Sequence, residues 1–211
     1  MIQLPSSTLF DRRVPKQKFY EHAHLTPALR DIFTRQIRAI YWRHKLSPDT
    51  INISPGAYVT EVEIFEIRLA SPDLPEAALR LIDTAIPYHL LFLLTWEDRV
   101  QAWIGWKDGS GASIRYYHTP WTTADALSLH VEGLTTDAVY EHFLRQIGGP
   151  VLDTAAPMAD SVEKDARRQA LEKQLRRLEK QLAAEKQMNR QLPLYESIQE
   201  IRKQLDALAR S

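Results

Sequence analysis

A leucine ladder occupies the end of this chain: Leu171, Leu175, Leu178 and Leu182, then, beyond Pro193, Leu194, Ile198, Ile201, Leu205 and Leu208. Steps of three and four set these side chains on one seam of an α-helix, the spacing by which two helices interlock. This end of the chain is therefore expected to touch another helix. Pro193 has no backbone donor and crowds the turn before it, so the spacing predicts a break there. The first helix then runs from about Asp160 to Met188, roughly 40 Å, and the second from about Leu194 to Ala209, roughly 24 Å. Two and a half heptads of leucine are short for an isolated dimer and need support. A self-contained hairpin, with Ile198, Ile201, Leu205 and Leu208 against Leu171 to Leu182, and an intermolecular coiled coil both satisfy the pattern. A homodimer through this arm is one expected partnership.

The residues before the ladder read as one α+β body. Residues 1–25 are polar and proline-broken, with Lys16, Lys18, Phe19 and Tyr20 ahead of His22 and His24, and are expected to form an extended arm packed on the body. Thr26-Pro27 starts a helix, threonine capping free N–H groups and proline suiting the first helical position. That helix is expected to run to about Lys45, with Leu29, Phe33, Ile37 and Ile40 inward. Thr50 to Ile53 and Tyr58 to Leu69 read as strands, and alternation that slips at Phe65 suggests a bulge. A helix is predicted from about Glu76 to Ile86, with Ala78, Leu79, Ile82 and Ile86 inward. The apolar run from Tyr88 to Leu94 reads as a central strand covered on both faces.

Glu97-Asp98-Arg99 is a hairpin turn into Val100 to Trp106, and the glycine-containing Lys107 to Gly111 a second turn into Ser113 to His118. Residues 127–132 are expected to form a short strand, and Thr135 or Thr136 to cap a helix carrying Val139, Phe143 and Ile147. The expected architecture is a mixed, largely antiparallel sheet with flanking helices over residues 1–152, a linker at 153–159, and a helical hairpin or coiled coil over 160–211.

Composition narrows the function classes. With 44% hydrophobic and 26% charged residues, the chain has material for one core plus an appendage. It has no cysteine, which removes thiolate metal sites and cysteine nucleophiles and fits a reducing interior. No stretch approaches the roughly 20 apolar residues that span a bilayer, and the start lacks a basic segment followed by an apolar run. A soluble cytoplasmic protein, without membrane contact, is the expectation. The net charge of zero conceals a split: residues 161–211 hold 12 Lys/Arg against 8 Asp/Glu, leaving 15 against 19 for the rest. The arm is basic and the body acidic.

Three constellations invite a chemical reading. Glu61, Glu63 and Glu66 lie on one predicted strand, and a metal-dependent nuclease needs carboxylates, usually with a lysine, converging on divalent cations. Glu61 and Glu63 share a face at period two, but no carboxylate is followed two positions later by lysine on the neighbouring strands. His22 with His24, and His118 after Tyr116 and Tyr117, are possible ligands or proton carriers without a companion acidic cluster. Arg35, Arg38, Trp42 and Lys45 recur at steps of three and four on one face of the predicted helix. With Lys16, Lys18, Tyr20 and Arg115 to Tyr117 they mix phosphate-binding cations with rings for stacking bases, against an acidic body. Phosphate-loop and nucleophile-elbow signatures are absent. No cofactor and no metal site is predicted.

The stretches Pro15 to Glu21, Ile40-Tyr41-Trp42-Arg43, Glu61 to Ile67, Ile86-Pro87-Tyr88-His89, Gln101 to Lys107 and Tyr116 to Thr119, in that order, resemble the bacterial family catalogued as domain of unknown function 4391. The resemblance extends through the arm, including Lys186 to Arg190. It implies a context: such proteins occur beside helicases and DNA methyltransferases in restriction-like, anti-phage gene clusters. It carries no catalytic assignment. The expectation is a non-catalytic accessory subunit of a defence or DNA-processing assembly that binds a protein partner such as a helicase or methyltransferase. A metal-dependent nuclease, or a DNA-binding module without catalysis, are the alternatives.

Overall fold

A computed structural model of the chain describes residues 4–20, 25–107, 114–152 and 155–210. His22, His24 and the glycine turn after Lys107 lie outside them. The chain divides into two compact units, 1–150 and 151–211.

In the first unit β1 (Leu9–Arg13), α1 (Gln17–Tyr20), α2 (Pro27–Arg35), β2 (Ile37–Leu46), α3 (Pro48–Ile51), β3 (Val62–Leu69), α4 (Glu76–Ala85), β4 (His89–Trp96), β5 (Arg99–Lys107), β6 (Ile114–His118), β7 (Thr122–Thr123) and α5 (Thr136–Gly148) follow in order. The strands form one mixed sheet, β1-β2-β3-β4-β5-β6, with β7 beside the start of β5. Every pairing is antiparallel except β3 with β4. Parallel neighbours need a crossover, and α4 supplies it.

The helix expected from Thr26 to Lys45 is two elements. Thr26 does cap α2, its Oγ1 accepting from the Leu29 N–H, but the helix ends at Arg35 and residues 37–46 are β2. Two bulges account for the misleading period. Ile37 pairs with Leu69 and Ala39 with Arg68, so Arg38 is an inserted residue; Trp42 pairs with Phe65 and His44 with Ile64, so Arg43 is another. Each insertion turns a spacing of two into three, and Ile37 with Ile40, or Trp42 with Lys45, return to one sheet face at helical intervals. The bulge inferred at Phe65 therefore lies opposite it, on β2.

Other expectations also shift. Thr50 and Ile51 belong to the short helix α3, held by a capping box in which Ser47 and Thr50 exchange side-chain and backbone bonds. Residues 127–132 form no strand. Tyr58 to Glu61 precede β3, and the N-terminal arm contributes an edge strand. The hairpin at Glu97-Asp98 is present, with Trp96 opposite Arg99 and a positive φ at Glu97.

Both faces of the sheet are covered. On one, Ile37, Ile40, Phe65, Ile67, Leu69, Leu90, Phe92 and Leu94 pack with Phe33 of α2 and Ala78, Leu79 and Ile82 of α4. On the other lies α5, whose Tyr140 ring meets His89 edge-on at 4.5 Å and Trp106 in a stack at 6.3 Å. Tyr140 also donates its hydroxyl to the Gly105 carbonyl. Coverage on both sides explains why β4 tolerates a near-continuous apolar run.

The second unit contains α6 (Met158–Ala184) and α7 (Met188–Arg210). Leu178, Ile198 and Ile201 are buried between them, with Leu171, Leu175, Leu182, Leu194 and Leu205 around them; Leu208 is half-buried. The hairpin alternative is the one adopted. The break falls at 185–187, not at Pro193. Glu185 Oε1 accepts from the Lys186 and Gln187 N–H groups at 2.9 Å, and Gln191 donates to the Glu185 carbonyl at 2.7 Å, so polar capping makes the turn. Pro193 sits exposed in the second turn of α7. The α-helical bond it forfeits would have gone to the carbonyl of Asn189, on an exposed residue that water can reach.

Candidate functional site

The three glutamates do not converge. Side chains alternate along β3, and its register with β4 is unbroken from Val62 to Arg68, so Glu63 faces the α2–α4 side and Glu66 the α5 side. This removes the three-carboxylate nuclease arrangement. What the fold brings together instead is Glu61, Glu63 and Lys45. Lys45 pairs directly with Glu63 across β2 and β3, and its Nζ forms an ion pair with Glu61 Oε2 at 2.6 Å. Reading Lys45 as helical concealed this lysine, because its alignment with Glu63 exists only in the bulged strand register.

Glu63 is 1% exposed, and its carboxyl group lies within hydrogen-bonding reach of the Glu61 carboxyl group. Burial, then the hydrogen bond to Glu61 and the Glu61 charge, push its pKa up to about 8, with Lys45 and Trp42 opposing. Pairing with Glu61 outweighs burial at Lys45 and holds its ammonium above the usual lysine range.

On the opposite face Glu66 is fully engaged. Its Oε2 accepts from Arg43 Nε and its Oε1 from Arg68 Nε, both at 2.6 Å. Burial alone would raise its pKa, but the two guanidiniums outweigh burial and hold it below the usual range. Arg43 also pairs with Asp11, and both arginines lie 4.7 Å from the centre of the Tyr41 ring. This network borders a cavity of about 410 Å³ with Ile64, Leu93, Val100 and Leu127 among its apolar lining and His44 at its edge. Thr8 donates its hydroxyl proton to the Pro5 carbonyl at 2.7 Å. His44 Nδ1, 2.9 Å from that hydroxyl, is therefore assigned as the donor to it. Burial and then Arg43 lower the His44 pKa, so the ring is neutral near pH 7.

The proposed nucleic-acid face is dispersed. Arg35 ends α2 and pairs with Asp31 at 2.7 Å. Arg38 is the first inserted residue of β2, Trp42 stacks on Phe65 at 5.9 Å, and Lys45 holds Glu61. Lys16 donates to the Phe33 and Ile37 carbonyls at 2.8 and 2.6 Å, which gives it a structural role. Tyr117 is buried. Lys18 and Tyr20 lie on α1, and Arg115 with Tyr116 on β6, at the far side of the sheet from β2.

Tyr116 belongs to a buried pair that periodicity alone did not flag. Its hydroxyl donates to Asp83 Oδ2 at 2.8 Å, and Lys107 meets Asp83 Oδ1 at 2.7 Å. Burial raises the Asp83 pKa against these partners. Gly105 provides room for it, since a Cβ there would lie 3.1 Å from Asp83 Oδ2. His118 stacks on Trp103 at 4.3 Å, its Nδ1 near Gln101 and the Thr119 carbonyl. Among the described residues, no group of three or more His, Asp or Glu is placed to hold a metal ion, and no helix is long and apolar enough to cross a membrane.

No curated protein and no solved structure matches the chain significantly. One family matches nearly its whole length, residues 2–205. The six sequence stretches that suggested the resemblance all fall within that match, and the chain belongs to the family described as domain of unknown function DUF4391.

Proposed function

We propose that this chain is a non-catalytic accessory subunit of a bacterial anti-phage defence or DNA-processing assembly, and that its helical arm docks a protein partner. The observation that carries the reading is an apolar stripe left over once the ladder has closed. Met188, Leu192 and Tyr195 are 85%, 61% and 53% exposed. Their spacing of four and three places them on one face of α7, about 120° around the helix from the sealed seam. Anchors at i, i+4 and i+7 are how a helix enters an apolar groove on another protein. The patch amounts to roughly 400 Å² at most, the size of a small docking face for a protein partner. The assembly context comes from the family resemblance, with its helicase and methyltransferase neighbours.

The test is co-purification with a helicase and a methyltransferase of the kind the family resemblance implies, for wild type and for Leu192→Asp with Tyr195→Asp. Capture should be lost while far-UV circular dichroism and the melting curve are retained. Undiminished capture by a folded double variant overturns the reading.

A further inference from the structure

The pairing of β1 with β2 runs out just after Arg13. Arg13 lies opposite Tyr41, and the Val14 N–H donates to the Ile40 carbonyl at 2.9 Å. Pro15 has no N–H to continue the ladder, and the chain leaves the sheet edge for α1. Lys16 takes over the vacated edge: its Nζ donates to the Ile37 carbonyl and to that of Phe33 in α2. An ammonium has three N–H groups, so one is left over. Opposite, the bulge at Arg38 takes that side chain out of the alternation of β2. The result is a concavity of about 330 Å³ whose lining includes Arg13, Val14, Lys16, Gln17, Arg38 and Ile40 and no carboxylate. Arg13 and Arg38 are exposed, and among the described residues neither guanidinium has an ion-pair partner. Burial, then the Arg13 charge, lower the Lys16 pKa, as expected of cations gathered without an anion between them. They gather on a body that is acidic as a whole, so bulk charge does not account for them.

We infer that this concavity is a binding site for one phosphate monoester group, held by the Arg13 and Arg38 guanidiniums with the third Lys16 N–H as a further donor. Planar guanidinium forks match the oxygens of a phosphate. Three cations suit its charge of about −1.5 to −2 and its three terminal oxygens, whereas a carboxylate has one charge and two oxygens. Lys16 is already fixed by the Phe33 and Ile37 carbonyls, so presenting its remaining donor costs little side-chain entropy. The volume falls at the lower end of the roughly 300–1,000 Å³ of small-ligand clefts. That leaves room for part of the group carrying the phosphate, against Val14 and Ile40, with the Gln17 amide as a neutral partner. The same chemistry is presented by a free nucleotide and by the 5′-phosphorylated end of a nucleic-acid strand. This site lies on the body and is independent of the docking role assigned to the arm.

Isothermal titration of the intact protein at low ionic strength tests the site. The probes are inorganic phosphate, a nucleoside 5′-monophosphate, and a short single-stranded oligonucleotide with and without a 5′-phosphate. One monophosphate should bind per chain, with an affinity that falls as salt rises. A mononucleotide that binds at least as tightly as the phosphorylated strand identifies a free small molecule as the source. Tighter binding of the phosphorylated strand, displaced by inorganic phosphate, identifies a strand end. Arg13→Gln and Arg38→Gln should each weaken binding about 10-fold or more, the worth of a charge-assisted hydrogen bond. Their melting temperatures should not change, since both side chains are exposed. Arg99→Gln, which removes an exposed charge from the β4–β5 hairpin of the same unit, should leave affinity unchanged. Lys16→Met should weaken binding and also lower the melting temperature, because two carbonyls lose their donor, so the arginine variants carry the decision. Three results overturn the inference: no monophosphate bound at millimolar concentration, an unphosphorylated strand bound as tightly as any monophosphate, or affinity that Arg99→Gln reduces as much as Arg13→Gln and Arg38→Gln do.

Discussion

Replacing Glu63 with glutamine should make the protein more stable, and by an amount that grows with pH. Glutamine has the shape of the carboxyl group and cannot ionise. In the folded chain Glu63 keeps its proton up to about pH 8, against an ordinary value of 4.5. The unfolded state therefore releases the proton first, and stability falls as pH rises from about 4.5 and levels off above about 8. At 1.36 kcal/mol per pH unit, that span is about 5 kcal/mol, with roughly 3 kcal/mol already lost by pH 7. The variant lacks this loss, so its advantage over wild type should be near zero at about pH 4.5 and reach several kcal/mol at about pH 9. Urea denaturation of both proteins at a series of pH values isolates the effect, because other titrating groups cancel in the difference. A difference independent of pH would show that Glu63 is ionised in the folded protein or is reached by water, and the account of its burial would fail.

Three further outcomes follow from other parts of the molecule. Leu178→Ala or Ile201→Ala should destabilise the hairpin by about 2–4 kcal/mol through the cavity left in its small core, seen as loss of helical circular dichroism from the second unit. Pro193→Ala should stabilise α7 by about 1–3 kcal/mol, since it restores a backbone donor without disturbing the turn at 185–187; an unchanged or lower melting temperature would contradict the exposed placement of that proline. Asp137 accepts from the N–H groups of Ala57, Tyr58 and Val59 at 2.6, 3.2 and 2.7 Å. Asp137→Ala should cost about 2–3 kcal/mol and speed hydrogen exchange at those amides ahead of the sheet.

Much of the architecture was legible in local pattern. Leu171 to Leu208 specified a helical seam by spacing alone, and the run from Tyr88 to Leu94 specified a strand covered on both sides. Thr26, Thr135 and the Glu97-Asp98 turn marked element ends through side-chain and backbone chemistry that acts within a few residues. Pro193 misled because a helix can tolerate the loss of one bond to an exposed carbonyl, whereas the capping by Glu185 that makes the turn had no distinctive spacing. In β2, two inserted residues reproduced the helical interval, so one element was read as the continuation of another.

The candidate site was legible only in its parts. Glu61 and Glu63 stood out as carboxylates two apart, a spacing that sets a shared face on any strand. That Glu66 points away, that Lys45 lies against Glu63, and that Asp83 meets Lys107 and Tyr116 over Gly105 depend on pairings between segments 18 to 33 positions apart. The sequence by itself determined α4, α5, the central strand β4 and its hairpin into β5, and that the final fifty residues seek a helical partner, because periodicity and capping are local. Only the tertiary structure decided that the partner lies in the same chain, which carboxylates share a face, and which one is sealed from water, because register, bulges and burial arise when distant segments pack.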